Sequence, residues 1–135
     1  MAVKQAIIFR RDLPMSAGKM VAQGCHASVE ACEVAPTFRL RSWRRTGLTK
    51  VVLSVPNEAD LHTLHEKAVA MDLPCALIRD QGRTEVTPGS VTALAIGPGE
   101  IDTLTGSLPL WRDQPEVDND NLSPNFDAAA ESSDG

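Results

Sequence analysis

The chain has 135 residues, 42% of them apolar and 23% charged, with a formal net charge of −5. That length suits one domain with one core, plus a tail. No run of about 18 uninterrupted apolar residues is present and the N-terminus lacks the pattern of a signal peptide, so no membrane-spanning helix and a cytoplasmic location are expected.

Residues 3–10 (VKQAIIFR) have the continuous apolar centre of a strand buried on both faces. Residues 17–33 follow as a helix with Ser16 as N-cap, Gly18 leaving room in the first turn, and Val21, Cys25, Val29 and Cys32 as the buried side. Residues 37–45 form a short basic helix around Trp43, ended by Gly47. No acid stands between Glu33 and Glu58, and that gap holds Arg39, Arg41, Arg44, Arg45 and Lys50. Such a stretch is either a phosphate-contacting surface or the solvated face of a basic helix.

Residues 50–55 (KVVLSV) form a second strand, and a helix over 57–72 capped by Asn57 turns Leu61, Leu64, Ala68 and Met71 to the core. Residues 74–79 form a third strand, followed by the polar loop Asp80-Gln81-Gly82-Arg83-Thr84. After a turn at Pro88-Gly89, residues 91–97 form a fourth strand, broken by Gly97-Pro98-Gly99, and 100–106 a short helix. Strands alternating with helices give an α/β fold, a three-layer α/β/α sandwich. If residues 84–87 extend into a strand, they pair antiparallel with the fourth strand, so the four-stranded sheet is expected to be mixed. Residues 1–111 make the domain. Residues 112–135 hold seven acids and only Arg112 as a base, the composition of a disordered acidic tail. Screening of the basic stretch in cis and simple solubility are both open roles for it. The three cysteines, Cys25, Cys32 and Cys75, are expected reduced and mostly buried.

Candidate chemistry starts on the first helix. Lys19, Gln23, His26, Glu30 and Glu33 fall within a sector of about 80°. By spacing alone this reads first as the wet face of an amphipathic helix. Asp80 ends a separate strand from which its carboxylate could reach the helix start, and Thr92 lies on the next strand. Adjacent helical residues point about 100° apart, so Cys25 and His26 do not make a thiol–imidazole pair. His62, His65 and Glu66 resemble a zinc helix but match neither HExxH nor HxxEH, and Gly97-Pro98-Gly99 lacks the pattern of a phosphate loop.

Several separate signatures carry a family resemblance. Arg11-Asp12-Leu13, Met15, Gly18-Lys19, Ala22-Gln23 and His26-Ala27 come first, then Lys50-Val51-Val52-Leu53. Ala76 to Thr84 (ALIRDQGRT), Pro88 to Pro98 (PGSVTALAIGP) and Ile101-Asp102, Thr105-Gly106, Leu108 and Leu110 complete the set. In order and spacing, residues 3–111 resemble the type 2 peptidyl-tRNA hydrolases, the archaeal and eukaryotic type. Val21 and Gln81 stand where that family often has Ala, and no polar signature residue is lost.

The resemblance implies hydrolysis of the ester joining a peptide to the 3′ ribose of tRNA, a homodimer, and no metal or other cofactor. It places Lys19, Gln23, His26, Asp80, Thr84 and Thr92 around the active-site cleft. Ester hydrolysis needs an activated water, oxyanion stabilisation and a proton for the leaving ribose oxygen. Asp80 is expected to orient and deprotonate the water. His26 either assists it, only positions Asp80, or binds RNA. Lys19 stabilises negative charge, and Thr92 and Gln23 hold water or the substrate carbonyl. Gly18, Gln23, Arg83, Thr84, Arg44 and Arg45 are the expected substrate contacts, with Arg79 near the 3′ end. Two rivals remain: a non-catalytic RNA- or protein-binding module on the same scaffold, and a metal hydrolase using His62 and His65.

Overall fold

A computed structural model describes residues 2–81 and 86–112. The elements run β1 (Lys4–Arg10), α1 (Ala17–Glu33), α2 (Thr37–Arg45), β2 (Lys50–Val55), α3 (Glu58–Ala70), β3 (Cys75–Arg79), β4 (Val91–Gly99) and α4 (Asp102–Thr105). They form one mixed sheet in the order β2-β1-β4-β3. β1 pairs parallel with β2, whereas β4 lies antiparallel to both β1 and β3. The C-terminal ends of β1, β2 and β3 therefore meet the start of β4 at one end of the sheet, where open α/β folds place their sites.

The apolar strand centres read in the sequence are buried on both faces, as expected. Ile7, Phe9, Ile78, Ala93 and Ala95 meet Ala27 and Ala31 of α1 on one face. On the other, Ala6, Ile8, Leu94 and Ile96 meet Leu61, Leu64 and Ala68 of α3. Sheet between helices is the expected sandwich. Among the described residues, no helix is long and apolar enough to cross a membrane.

The caps follow their chemistry. Ser16 accepts from the Lys19 N–H and Asn57 from the Asp60 N–H, each satisfying an orphan donor of a first turn. Gly47, at φ 103°, follows α2, and the indole of buried Trp43 donates to the Thr49 carbonyl at 2.9 Å.

Several expectations fail locally. Val21 and Val29 are 65% and 58% exposed and Cys25 is also exposed, so the buried side of α1 is Gly24, Ala27 and Ala31 instead. Met71 is exposed because α3 ends at Ala70, and Leu73 fills the core in its place. Gly97-Pro98-Gly99 does not break the chain, since β4 runs to Gly99 and a bulge opposite Lys4 and Ala6 absorbs the irregularity. Gly97 is obligatory there, because a Cβ would come within 2.3 Å of the Lys4 carbonyl oxygen. Its carbonyl accepts from fully buried Gln5, whose side chain also pairs with Ser28. The antiparallel neighbours of β4 are β1 and β3, and residues 86 and 87 are not in a strand; residues 84 and 85 lie outside the described residues.

Arg10 ties the strand ends together. Its guanidinium pairs with Asp12 at 2.7 Å and Glu58 at 2.9 Å, and donates to the Val91 carbonyl at 3.1 Å. The hydrogen bond from Arg10 holds the Asp12 carboxyl below its ordinary 3.8. A carboxyl with a depressed folded-state pKa stabilises the fold above its unfolded value, and that contribution is lost as pH falls through the folded value. Asp12→Asn is therefore expected to lower stability by about 0.5 kcal/mol at pH 6, a small amount because the carboxylate faces solvent. The gap to wild type should close between about pH 4 and pH 2; urea midpoints across that range check it.

Candidate active site

Two polar contacts, one helical turn apart on α1, meet the end of β3 and the start of β4. Lys19 sits in the first turn of α1, its backbone N–H held 3.1 Å from Ser16 Oγ. Its ammonium pairs with Asp80, the residue after β3. Asp80 is pinned at the backbone, donating to the Ser90 carbonyl at 2.8 Å and accepting from the Gly89 N–H at 3.0 Å. The Lys19 and Asp80 side chains are only 10% and 2% exposed. One turn on, Gln23 Nε2 donates to Thr92 Oγ1 at 2.7 Å. The Thr92 hydroxyl, fully buried, lies 3.4 Å from the Ile78 carbonyl to which it donates.

Lys19, Gln23, Asp80 and Thr92 are thus brought together from three separate segments, as the sequence led one to expect. His26 is not. Its ring is 57% exposed and pairs with Glu30 at 3.2 Å. The reason is rotational: with Gly24, Ala27 and Ala31 against the sheet, Gln23 stands about 70° from the centre of the buried face and His26 about 130°. Lys19 stands nearly as far round as His26, but it lies at the head of the helix and has a long side chain.

Gly18 is exposed beside Lys19, and a Cβ there would meet nothing within 4 Å. Packing therefore does not require a glycine at that position. Arg83 and Thr84 lie outside the described residues. Arg79 is exposed at the same sheet end, donating to the Gly89 carbonyl at 3.1 Å. Arg44 and Arg45 do not join this cluster. They occupy the last turn of α2, which packs by Trp43 against Thr49 and Lys50 at the start of β2, the opposite end of the sheet. His62 is taken up by Glu58 at 3.0 Å, and this hydrogen bond, followed by the Arg10 charge, holds the Glu58 carboxyl below its usual range.

Arg10 was not singled out in the sequence, although it borders the cluster. It holds the carbonyl of Val91, next to Thr92, and so fixes where β4 begins. The signal was the pair of parallel strands ending in Arg10 and Val55 with Glu58 just beyond, but only the pairing shows that these ends meet.

Chemically, the cluster offers a buried carboxylate, an ammonium beside it, and an amide–hydroxyl pair next door. A carboxylate can hold and deprotonate a water, and an ammonium can stabilise the oxyanion formed when that water attacks an ester. The family profile described as Peptidyl-tRNA hydrolase PTH2 matches residues 3–111. The peptidyl-tRNA hydrolase of Halobacterium salinarum is 44% identical over 112 residues, covering 81% of this chain and 100% of the relative. That of Methanocaldococcus jannaschii is 45% identical over 114 residues, covering 80% and 99%. The Aeropyrum pernix peptidyl-tRNA hydrolase is 44% identical over 118 residues, covering 80% and 95%.

Removing Lys19 takes from a nearly buried carboxylate the cation that pairs with it among the described residues. Lys19→Met is expected to destabilise the fold by about 3 kcal/mol. A second change, Asp80→Asn, should restore at least about 1 kcal/mol of that loss. A double-mutant cycle on denaturant unfolding measures this, and strict additivity would show that the two side chains are not coupled.

Proposed function

The chain belongs to the peptidyl-tRNA hydrolase PTH2 family, and we propose that it hydrolyses the ester between peptide and tRNA by direct attack of a water held at Asp80. The observation that carries this is the buried Lys19–Asp80 pair set beside the Gln23–Thr92 hydrogen bond. Asp80 orients the water and takes its proton as the oxygen attacks the ester carbonyl. Lys19 stabilises the tetrahedral oxyanion. Gln23 and Thr92 position the carbonyl or the water, and Gly18 leaves space for the substrate at the helix head. Arg83 and Thr84 follow Asp80 in the chain and are assigned to the 3′ end of the tRNA. The exposed His26 serves at most to steer RNA, not to activate the water. A pure binding module does not call for an ammonium–carboxylate pair set beside an amide–hydroxyl pair. The reaction fits the cytoplasm, where translation supplies the substrate.

Lys19→Ala and Asp80→Asn are each expected to slow single-turnover deacylation of N-acetyl-aminoacyl-tRNA by about 10²-fold or more. His26→Ala should stay within about tenfold of wild type, and EDTA should leave the wild-type rate unchanged. A His26→Ala loss as deep as that of Asp80→Asn would return the imidazole to the chemistry. Loss with EDTA would favour a metal hydrolase.

Arg44 and Arg45 lie away from the cleft, but a polyanion as long as a tRNA can reach both ends of the sheet. Phosphate contacts position without reading sequence. Arg44→Glu with Arg45→Glu should raise KM, leave kcat near wild type, and reduce the slope of log KM against log salt by about 1 to 2. An unchanged slope would remove these residues from the interface.

The reading includes a homodimer. Val21, Cys25, Val52 and Trp111 border a groove of about 580 Å³ along the outer flank of α1. With Val21 at 65% and Val52 at 40% exposure, this flank is an apolar surface of the kind that marks an interface. A second copy is its proposed occupant. Val21→Asp is expected to shift sedimentation toward the monomer without unfolding the chain, and a monomeric wild type would refute the assignment.

A further inference from the structure

The last described residues have a direction. Ser54 donates to the Pro109 carbonyl at 2.9 Å, Trp111 donates to the Val52 carbonyl at 2.9 Å, and Leu110 lies opposite Leu53. The chain here runs antiparallel to β2, toward Lys50. Two strand residues, about 7 Å, separate Val52 from Lys50. The Lys50 ammonium lies 5.0 Å from the centre of the Trp43 ring. Residues 109–111 thus run along β2 toward the end of the sheet that packs on α2, and the Arg112 carbonyl accepts from Arg11 at 2.9 Å.

Between α1 and α2 at that point is a groove of about 610 Å³. Val29, Leu40, Trp43 and Leu48 make its floor, with Arg44 and Lys50 at the rim and Glu33 as its acid. Val29 and Leu48 are 58% and 45% exposed, and Arg41 and Arg45 are also exposed on the same helix. An apolar floor with a cationic rim suits an anionic segment that carries apolar side chains. Residues 113–135 have that composition: seven acids, no Lys or Arg, and Val117, Leu122 and Phe126 among them. At about 3.3 Å per extended residue, the first ten of these can cross the groove several times over. The segment is also separable from the fold. The whole length of the Halobacterium salinarum relative is matched by 81% of this chain.

We propose that residues 113–135 dock in the α1–α2 groove of their own chain, apolar side chains on the floor and carboxylates on Arg44, Lys50 and their neighbours. The assignment rests on the groove, the place of residues 109–111 along β2 and the charge, and not on the use of Arg44 and Arg45 for tRNA. If those arginines do take tRNA phosphates, the segment competes with tRNA for them.

Three full-length chains test this by NMR: wild type, one with all seven acids of 113–135 changed to Asn or Gln, and one with Val117, Leu122 and Phe126 changed to Ser. The Trp43 indole N–H and Arg44 Nε–H signals are expected to move in both variants relative to wild type. Salt at about 1 M, where the screening length falls to about 3 Å, should move wild type the same way. Identical signals in all three chains would overturn the proposal. So would signals that still depend on protein concentration in a monomeric Val21→Asp background, which would put the segment on a second copy. Affinity for deacylated tRNA keeps the two ideas apart: at low salt the neutralised chain should bind about fivefold more tightly or better. Shifted signals with unchanged tRNA affinity would keep the docking and remove the tRNA role of Arg44 and Arg45.

Discussion

The site depends on how closely α1 can sit on the sheet. Gly24 lies over Phe9 and Ile7, where even a Cβ would be 3.3 Å from Phe9 Cζ, and Ala27 and Ala31 are fully buried. A helix faced with small residues approaches a sheet closely, and only then does the Lys19 ammonium reach Asp80 and the Gln23 amide reach Thr92. A larger residue at position 24 would lift the helix and open both contacts together. The buried ion pair is not itself what holds the fold, since desolvation of two charges offsets most of their attraction. Packing of the small-residue face supplies the stability, and the pair is the proposed seat of the chemistry.

Three faces of one helix then do three different things. The small face packs on β1, β3 and β4. The polar flank carries Lys19 and Gln23 to the strand ends. The apolar flank, with Val21, Cys25 and Val29, overhangs β2, the edge strand that α1 does not cover, and so Val52 is also exposed. Because the two flanks point apart, a partner seated on the apolar one leaves the Lys19–Asp80 and Gln23–Thr92 contacts uncovered. Charge is arranged with the same separation. The buried pair stands at the C-terminal ends of β1 and β3, whereas the cations of α2 gather near the start of β2.

Much of this was legible in the chain itself. Alternating apolar strands and amphipathic helices specified the layers, because strands covered on both faces must be apolar throughout. Ser16 and Asn57 announced their helix starts through an orphan N–H that only a short polar side chain can satisfy. The misreading of the buried stripe of α1 has one source. Val21, Cys25 and Val29 are the more apolar stripe of α1, and hydrophobicity alone assigns them to the core, yet the sheet accepts the smaller stripe because close approach buries more surface. His26 shares its sector with Lys19 and Gln23, but the helix rotation that seats Gly24 turns the imidazole to solvent.

The sequence by itself determined the layer order, the helix starts and the family, since these depend on periodicity, local hydrogen bonding and motifs along the chain. Tertiary structure decided the company each polar side chain keeps. Lys19 and Asp80 are 61 residues apart and Gln23 and Thr92 are 69 apart. No local rule relates such residues. The strand order, the seating of α1 on the sheet and the backbone contacts of Asp80 bring them within reach, and the same seating sends His26 to Glu30.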